Sequence, residues 1–415
     1  MLFVESLTIG GLPNYVLQLA NALMEVGETV VLAYTGDPVP VHLELGAVSL
    51  VHLPNNDTDR LKAMVAGWSP DVIHVHLCSD LGILEVLGAQ NAPLIRSFHD
   101  YTSLCLRRGR RRFPGDRCQR ALGTGCVLFG CAIGASSKPG GKLPGWKSIS
   151  NKLLERSRYQ GFDAAIVGSG YMRGTLIKNS FERSRIHLVP YFSKFDQDAG
   201  AEPYVSTRNI GVPGLDRPIE FLFTGQAVAG KGLKVLITAL GNLAGDWRLT
   251  VVSDGPDLAA AKAMSVKFGV DDRIKFIGWL AQSSLAALYA KADLLVIPSI
   301  WDDPGPLVGL EALSMGTPVL GFPVGGIPDY VIDGVTGFLT DDVNADALTQ
   351  GLGRAISDGE QLHELGQKGR ALIVANHGRR SHAKAIMQIY SDASMNLNHQ
   401  RTENRFSHIP IREAI

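Results

Sequence analysis

The stretch that decides the fold runs Leu294-Leu295-Val296-Ile297-Pro298-Ser299-Ile300-Trp301-Asp302-Asp303-Pro304-Gly305-Pro306-Leu307-Val308-Gly309-Leu310-Glu311-Ala312. Its apolar run, closed by Pro298, reads as a strand buried on both faces, the kind found in parallel sheets. The Pro- and Gly-rich loop then leads straight into a helix. A helix entered this way presents backbone N–H groups at its positive end, where the hydroxyls or phosphates of a ligand can be held. Asp303 and Glu311 are eight positions apart, so one carboxylate can lie in the loop and the other about two turns along the helix. A carboxylate accepts two hydroxyl hydrogens at once, so such a pair suits a polyol. The alternative is structural: Asp303 caps the helix and Glu311 faces solvent.

Outward from this stretch, short β-branched runs alternate with longer helix-period runs, the signature of parallel βαβ units. Strands are expected at Leu2–Val4, Thr29–Ala33, Val72–His76, Leu94–Phe98 and Ala164–Val167 in the first half. In the second half they are expected at Ile219–Phe223, Arg248–Val252, Ile274–Ile277, Leu294–Ile297, Pro318–Gly321 and Gly337–Leu339. The polar, aperiodic run 193–217 separates the halves and reads as a linker. The expected organisation is a first α/β domain over 1–192, a second over 218–380, a helix over 381–395 crossing back to the first, and a disordered tail over 396–415. A chain of 415 residues suits two such domains. In doubly wound sheets ligands bind outside the carboxyl ends of the strands, so the motifs should line a cleft between the two.

Lys plus Arg and Asp plus Glu are each 40. With no net basic field, a nucleic-acid partner is not expected. The charge is nevertheless uneven: Arg96 to Arg120 holds eight Arg, no Lys and two Asp. Guanidinium forks suit phosphate or carboxylate ligands, although a solvated loop is the plainer reading. The neighbouring uncharged run 121–137 falls short of the roughly 20 apolar residues of a spanning helix, but it suits contact with a membrane surface. No cationic stretch or small-residue cleavage site accompanies Leu2-Phe3-Val4, so a cytoplasmic protein is expected, peripheral at the inner face of the membrane. Cys105, Cys118, Cys126 and Cys131 gather four of the five cysteines in one segment. Four thiolates can hold a structural zinc; disulfides and unlinked thiols stay open.

Further motifs sit at strand ends. Gly10-Gly11 follows the first strand and precedes a helix with an apolar stripe. His99-Asp100 ends the strand Leu94–Phe98. His74 and His76 share one face of a buried strand and, lacking a third ligand, read as structural. Phe221-Leu222-Phe223-Thr224-Gly225-Gln226-Ala227-Val228-Ala229-Gly230-Lys231-Gly232 is a strand followed by a Gly-rich loop with one Lys. Val251-Val252-Ser253-Asp254-Gly255-Pro256 repeats the strand-to-glycine pattern.

Together these resemble glycosyltransferase family four, retaining sugar transferases of the GT-B fold, whose hallmark is an acidic-x7-Glu signature. The resemblance implies two Rossmann-like domains facing a central cleft, with a nucleotide-sugar donor on the second. Asp303 would contact the transferred sugar, backbone groups of Gly305, Pro306 and Leu307 would hold its hydroxyls, and Glu311 the ribose. Lys231 would neutralise the diphosphate, with Gly225, Gln226 and Gly255 lining the donor and Gly10-Gly11 closing over its phosphates. His99 would lie close to the sugar. The first domain would receive a glycan or lipid-linked saccharide acceptor, with Arg107, Arg108 and Arg110 as the cations beside it. Catalysis would need no dedicated metal. This chain departs from the family by having Asp at 303, where Glu is usual, and Gln at 226, where Arg is usual. A nucleotide-sugar 2-epimerase and a non-catalytic sugar-nucleotide-binding protein are the rival readings.

Overall fold

The computed structural model describes residues 1–8, 11–37, 46–111, 117–135, 144–195, 211–280 and 282–399. It divides into two units, Met1–Val189 with the chain from Arg380 onward, and Pro190–Arg379. The strands are β1 (Leu2–Val4), β2 (Val31–Tyr34), β3 (Ser49–His52), β4 (Ile73–Leu77), β5 (Leu94–Phe98), β6 (Ile133–Ala135), β7 (Pro144–Trp146), β8 (Ala164–Val167) and β9 (Ile186–Leu188) in the first unit. The second holds β10 (Ile219–Thr224), β11 (Trp247–Val252), β12 (Ile274–Ile277), β13 (Leu294–Ile297), β14 (Val319–Gly321) and β15 (Gly337–Leu339).

The first sheet runs in the order β3-β2-β1-β4-β5-β8-β9 and the second in the order β12-β11-β10-β13-β14-β15. Every pairing within both sheets is parallel. Both orders turn back on themselves once, between β1 and β4 and between β10 and β13. That reversal defines the doubly wound Rossmann-like arrangement, and the loops leaving the carboxyl ends of those strands flank the crevice where such folds bind ligands.

Central strands were legible because both of their faces are buried. All residues of β5, β8 and β13 are buried; β8 and β13 are continuous apolar runs, and β5 is apolar apart from buried Arg96 and Ser97. Within the two parallel sheets, the strands that the pattern does not announce, β3 and β9, are edge strands with partly exposed residues. Phe3, Val75, Leu94, Phe98, Tyr159 and Phe181 build the core of the first unit. A small antiparallel pair, β6 with β7, lies in the insertion between β5 and β8.

The stretch read as a linker is partly folded. Pro213 bridges to Arg217, and the Arg217 guanidinium grips buried Asp293 at 2.6 and 2.7 Å. Asp293 also accepts the Glu220 N–H at 2.9 Å. Residues 211–217 thus belong to the second unit, tied by a bidentate pair whose disruption would leave a buried charge. The helix Arg379–His399 packs on the first unit: its His382 meets Tyr15 at 2.8 Å and its Tyr390 meets His74 at 2.7 Å. The expected tail lies largely outside the described residues.

Candidate functional site

In the second unit the loop after β10 turns through Gly225, Gln226 and a short turn at Ala229–Lys231 into the helix Leu233–Gly241. Gly232 makes the entry possible. Its φ is +74°, and a Cβ there would stand 1.7 Å from the Pro298 carbonyl oxygen, so no side chain fits. The loop after β13 lies against it, with the Ile300 N–H donating to the Gly230 carbonyl at 2.9 Å. The loop after β11 clasps it from the other flank: Ala227 donates to the Asp254 carbonyl at 2.7 Å and accepts from the Asp257 N–H at 2.8 Å. Gly255 sits in that clasp. Three strand-end loops therefore form one surface.

Asp303 is fixed within it by its own backbone. Its N–H donates to Trp301 O at 2.8 Å and its carbonyl accepts from the Gly326 N–H at 2.8 Å. The carboxylate forms an ion pair with Lys231, which joins the loops after the two switch-point strands. The Gly305 N–H reaches its other oxygen only at 3.4 Å. The helix Leu307–Ser314 begins after Pro306, with no side-chain cap. Asp303 is therefore not the cap, and the first N–H groups of this helix keep the donor capacity of an open N-terminus.

Glu311 does not face solvent either; it is buried. One oxygen accepts the Tyr289 hydroxyl at 2.8 Å and the other pairs with the Lys194 ammonium at 3.1 Å. Burial and the Glu311 carboxylate both raise the Tyr289 phenol well above its ordinary range. It therefore stays protonated and donates. The Thr224 hydroxyl, at 3.0 Å, supplies the hydrogen that the Tyr289 oxygen accepts. Sequence reasoning missed Lys194, Tyr289 and Thr224. Lys194 stood in the supposed linker, and Tyr289 lies on a helix, Gln282–Lys291, with no motif to draw attention to it.

In the first unit Gly10 lies outside the described residues, and Gly11 opens the helix Gly11–Glu25. His99 follows β5. Its Nε2 is 3.0 Å from His76 Nδ1, and the Tyr15 ring stands 4.8 Å from its own. His74 bridges Tyr390 and the Ser97 hydroxyl, at 2.7 and 2.8 Å. Burial, reinforced by neighbouring histidines and Arg96, lowers the pKa of all three imidazoles well below the usual histidine range. They are neutral at physiological pH. His76, read as purely structural, is the residue that touches His99.

The arginine reading needs correction. Arg96 is buried under the Phe98 and Tyr159 rings, at 5.1 and 4.7 Å from their centroids. Arg110 is buried too, donating from Nε to the Cys118 carbonyl at 3.0 Å and lying over Tyr101. Arg107 donates to the Ile133 carbonyl at 3.2 Å. Arg110 is thus turned inward, whereas Arg107 is half-exposed and Arg108 exposed.

The zinc reading is not carried by the geometry. Among the described residues no group of three or more His, Cys, Asp or Glu side chains is gathered to hold a metal ion. The thiols form no disulfide, yet the four lie near one another: Cys105 and Cys118 help raise the Cys126 thiol above its ordinary range, and with Cys126 they do the same for Cys131, burial being the larger cause in both. Cys105 packs on the main core, Cys131 and Cys126 on a small satellite core, and Cys118 lines a surface recess.

Two parallel doubly wound units, with a carboxylate–ammonium site at the switch point of the second, define a GT-B glycosyltransferase. Residues 9–192 match the family described as Glycosyltransferase Family 4, and residues 207–372 match Glycosyl transferases group 1. The chain belongs to the family-four glycosyltransferases. A D-inositol 3-phosphate glycosyltransferase of Xylanimonas cellulosilytica is 26% identical over 93% of this chain and 92% of its own length. A GDP-mannose-dependent phosphatidylinositol monomannoside mannosyltransferase of Mycolicibacterium smegmatis is 30% identical over 42% of this chain and 48% of its own. In fold, the chain resembles Anabaena HepE solved with UDP and glucose, with a TM-score of 0.69 and 17% identity over 94% of this chain and 98% of that one. Among the described residues no helix is long and apolar enough to cross a membrane.

Proposed function

We propose that this enzyme moves a sugar from a nucleotide-sugar donor to a glycan or lipid-linked saccharide acceptor, with retention of configuration, in the synthesis of cell-surface polysaccharide or glycolipid. The observation that carries the reading is the pairing of Asp303 with Lys231, between the two switch-point loops, and of Glu311 with Lys194, on the helix that follows one of them. Each carboxylate already holds a hydrogen-bond donor that a ligand can replace. An incoming diphosphate takes the Lys231 ammonium, which frees Asp303 to accept sugar hydroxyls. A ribose diol offers Glu311 the two hydrogens that suit its two oxygens. The open N-terminus at Leu307 adds backbone donors where the sugar and phosphates sit.

The resident cations and helix dipole stabilise the negative charge that builds on the leaving diphosphate. Attack from the same face, the leaving phosphate taking the proton of the acceptor hydroxyl, yields retention without a side-chain nucleophile. His99, kept neutral by burial, is suited to hydrogen-bond a sugar hydroxyl rather than to add positive charge. The similarity to enzymes named for inositol phosphate and phosphatidylinositol mannoside acceptors supports an acceptor that carries phosphate.

The test is a thermal-shift panel of nucleotide-sugars, since a ligand that binds the native state raises its apparent stability. NMR of the product formed from the donor so identified then reads the anomeric configuration. Inversion sinks the retaining mechanism, and an isomerised sugar formed from donor alone replaces transfer by epimerisation.

A further inference from the structure

The insertion between β5 and β8 carries a feature that sugar transfer does not use. In its helix Gly125–Leu128 and the turn beyond it, Val127, Leu128, Phe129 and Ile133 are 46%, 81%, 40% and 44% exposed. These are not spare core residues. The insertion has its own small core of Leu106, Leu122, Cys131, Ala132 and Leu153. Its turn is closed in a defined way: Gly130 adopts φ +66°, its N–H donates to Val127 O at 3.0 Å, and the Cys131 N–H donates to Cys126 O at 2.8 Å. That pattern is a Schellman cap, which fixes the turn and normally sets its two flanking side chains, here Cys126 and Cys131, in contact. The base is tied down as well. The Leu122 N–H donates to Asn179 at 2.9 Å, and its carbonyl accepts from Arg156 at 2.9 Å. A built turn thus presents adjoining apolar side chains outward.

The sequence that carries this knob has charge of nearly one sign. Residues 107–147 contain ten Lys and Arg against a single Asp, in a chain whose formal net charge is zero. The Arg120 guanidinium stacks on Phe129, 3.9 Å from the ring centroid. A surface recess of about 370 Å³ is lined by Arg117, Cys118, Gln119 and Arg120. Exposed apolar groups rimmed by cations match a bilayer interface, where acyl chains take the former and lipid phosphates the latter. A second copy of the chain fits less well, because it would bring two such cationic faces together.

We propose that the Gly125–Ile133 knob seats in the surface of an anionic lipid bilayer, with Leu128 and Phe129 entering the acyl boundary and Arg120 meeting lipid phosphate. The inference goes beyond sugar transfer, and its main readout, binding to vesicles, needs neither donor nor acceptor. The full chain is sedimented with phosphatidylcholine vesicles, with and without about 30% phosphatidylglycerol, at low and high salt. Binding is expected only to the anionic vesicles and should weaken with salt. The double variant Leu128→Asp with Phe129→Asp should lower it by at least about tenfold while leaving the melting temperature and nucleotide-sugar affinity unchanged. Leu128→Ser alone should lower it by a smaller factor, and it serves if the double variant misfolds. Equal binding to neutral vesicles, no binding to anionic ones, or undiminished binding by the variants overturns the proposal. So does a wild-type dimer that the substitutions convert to monomer, which would assign the knob to a second copy.

Discussion

At the second sheet, the loops after the switch-point strands join through Asp303 and Lys231, and the helix that follows β13 pairs its Glu311 with Lys194. Beside the switch point of the first sheet stands a buried network of neutral rings, His74, His76 and His99 with Tyr15, Tyr390 and His382. The two sheets share a strand order, so topology does not set this difference. It follows from which residues end the strands. Charged groups held in pairs at a partly open surface can exchange partners with an anionic, hydroxyl-rich ligand. Imidazoles stripped of water can only be neutral hydrogen-bonding groups, and they also bind the C-terminal helix to its unit. A shared architecture thus supports two chemistries, and the site has to be argued residue by residue.

The comparison breaks most readily at Lys231. Lys231→Ala removes the diphosphate cation and leaves Asp303 without its ammonium. Release of nucleoside diphosphate from the donor should fall about 100- to 1000-fold, the usual loss when one preorganised stabiliser of developing charge is removed. A loss below tenfold would mean that Lys231 does not face the leaving group.

Glu311→Ala comes next. A hydrogen bond to a charged group contributes about 1.5–3 kcal/mol, so nucleotide-sugar affinity should drop by roughly 10- to 150-fold with the far-ultraviolet spectrum unchanged. Unaltered affinity in the folded variant takes Glu311 out of the site.

Acid should separate the two units. His74, His76 and His99 have folded-state pKa values below the unfolded value of about 6.5. As pH falls below about 6.5, the unfolded chain takes up protons that the folded chain refuses. Each histidine then removes about 1.4 kcal/mol of stability per pH unit, until its own lowered pKa is reached. The contribution is fully present above pH 6.5. Calorimetry between about pH 7.5 and 5.5 should show the first unit losing stability, with a shallower slope in His76→Phe. Equal slopes in parent and variant would show that this ring is not desolvated.

The smallest effect is expected at Gln226, which is exposed on the loop after β10. Gln226→Arg should tighten nucleoside-diphosphate binding by up to about fivefold, the range of a solvent-exposed ion pair. Identical isotherms would turn position 226 away from the phosphates.

Much of this was legible in the sequence, for a physical reason. Strands buried on both faces are mostly apolar, so β8 and β13 announced themselves, and β5 and β10 did so despite Arg96-Ser97 and Glu220. Asp303 and Glu311 drew attention because they lie eight positions apart behind one strand, and Lys231 because it stands in the Gly-rich loop directly behind another. The edge strands β3 and β9, half in water, carried no such signature. Residue type alone also misjudged Arg110, since a guanidinium that binds a ligand and one that binds a backbone carbonyl look identical in one dimension.

The sequence by itself determined the two doubly wound sheets, the strand-end loops and the spacing of Asp303 and Glu311, because all of these depend on local pattern and chain order. Only the tertiary structure decided what each charged or polar group faces. It placed Lys194 on Glu311 across 117 residues of chain, tied Lys231 to Asp303 and packed His76 against His99. It also turned Leu128 outward. Such contacts join residues distant in sequence, and their energies depend on burial and distance, which exist only once the chain has folded.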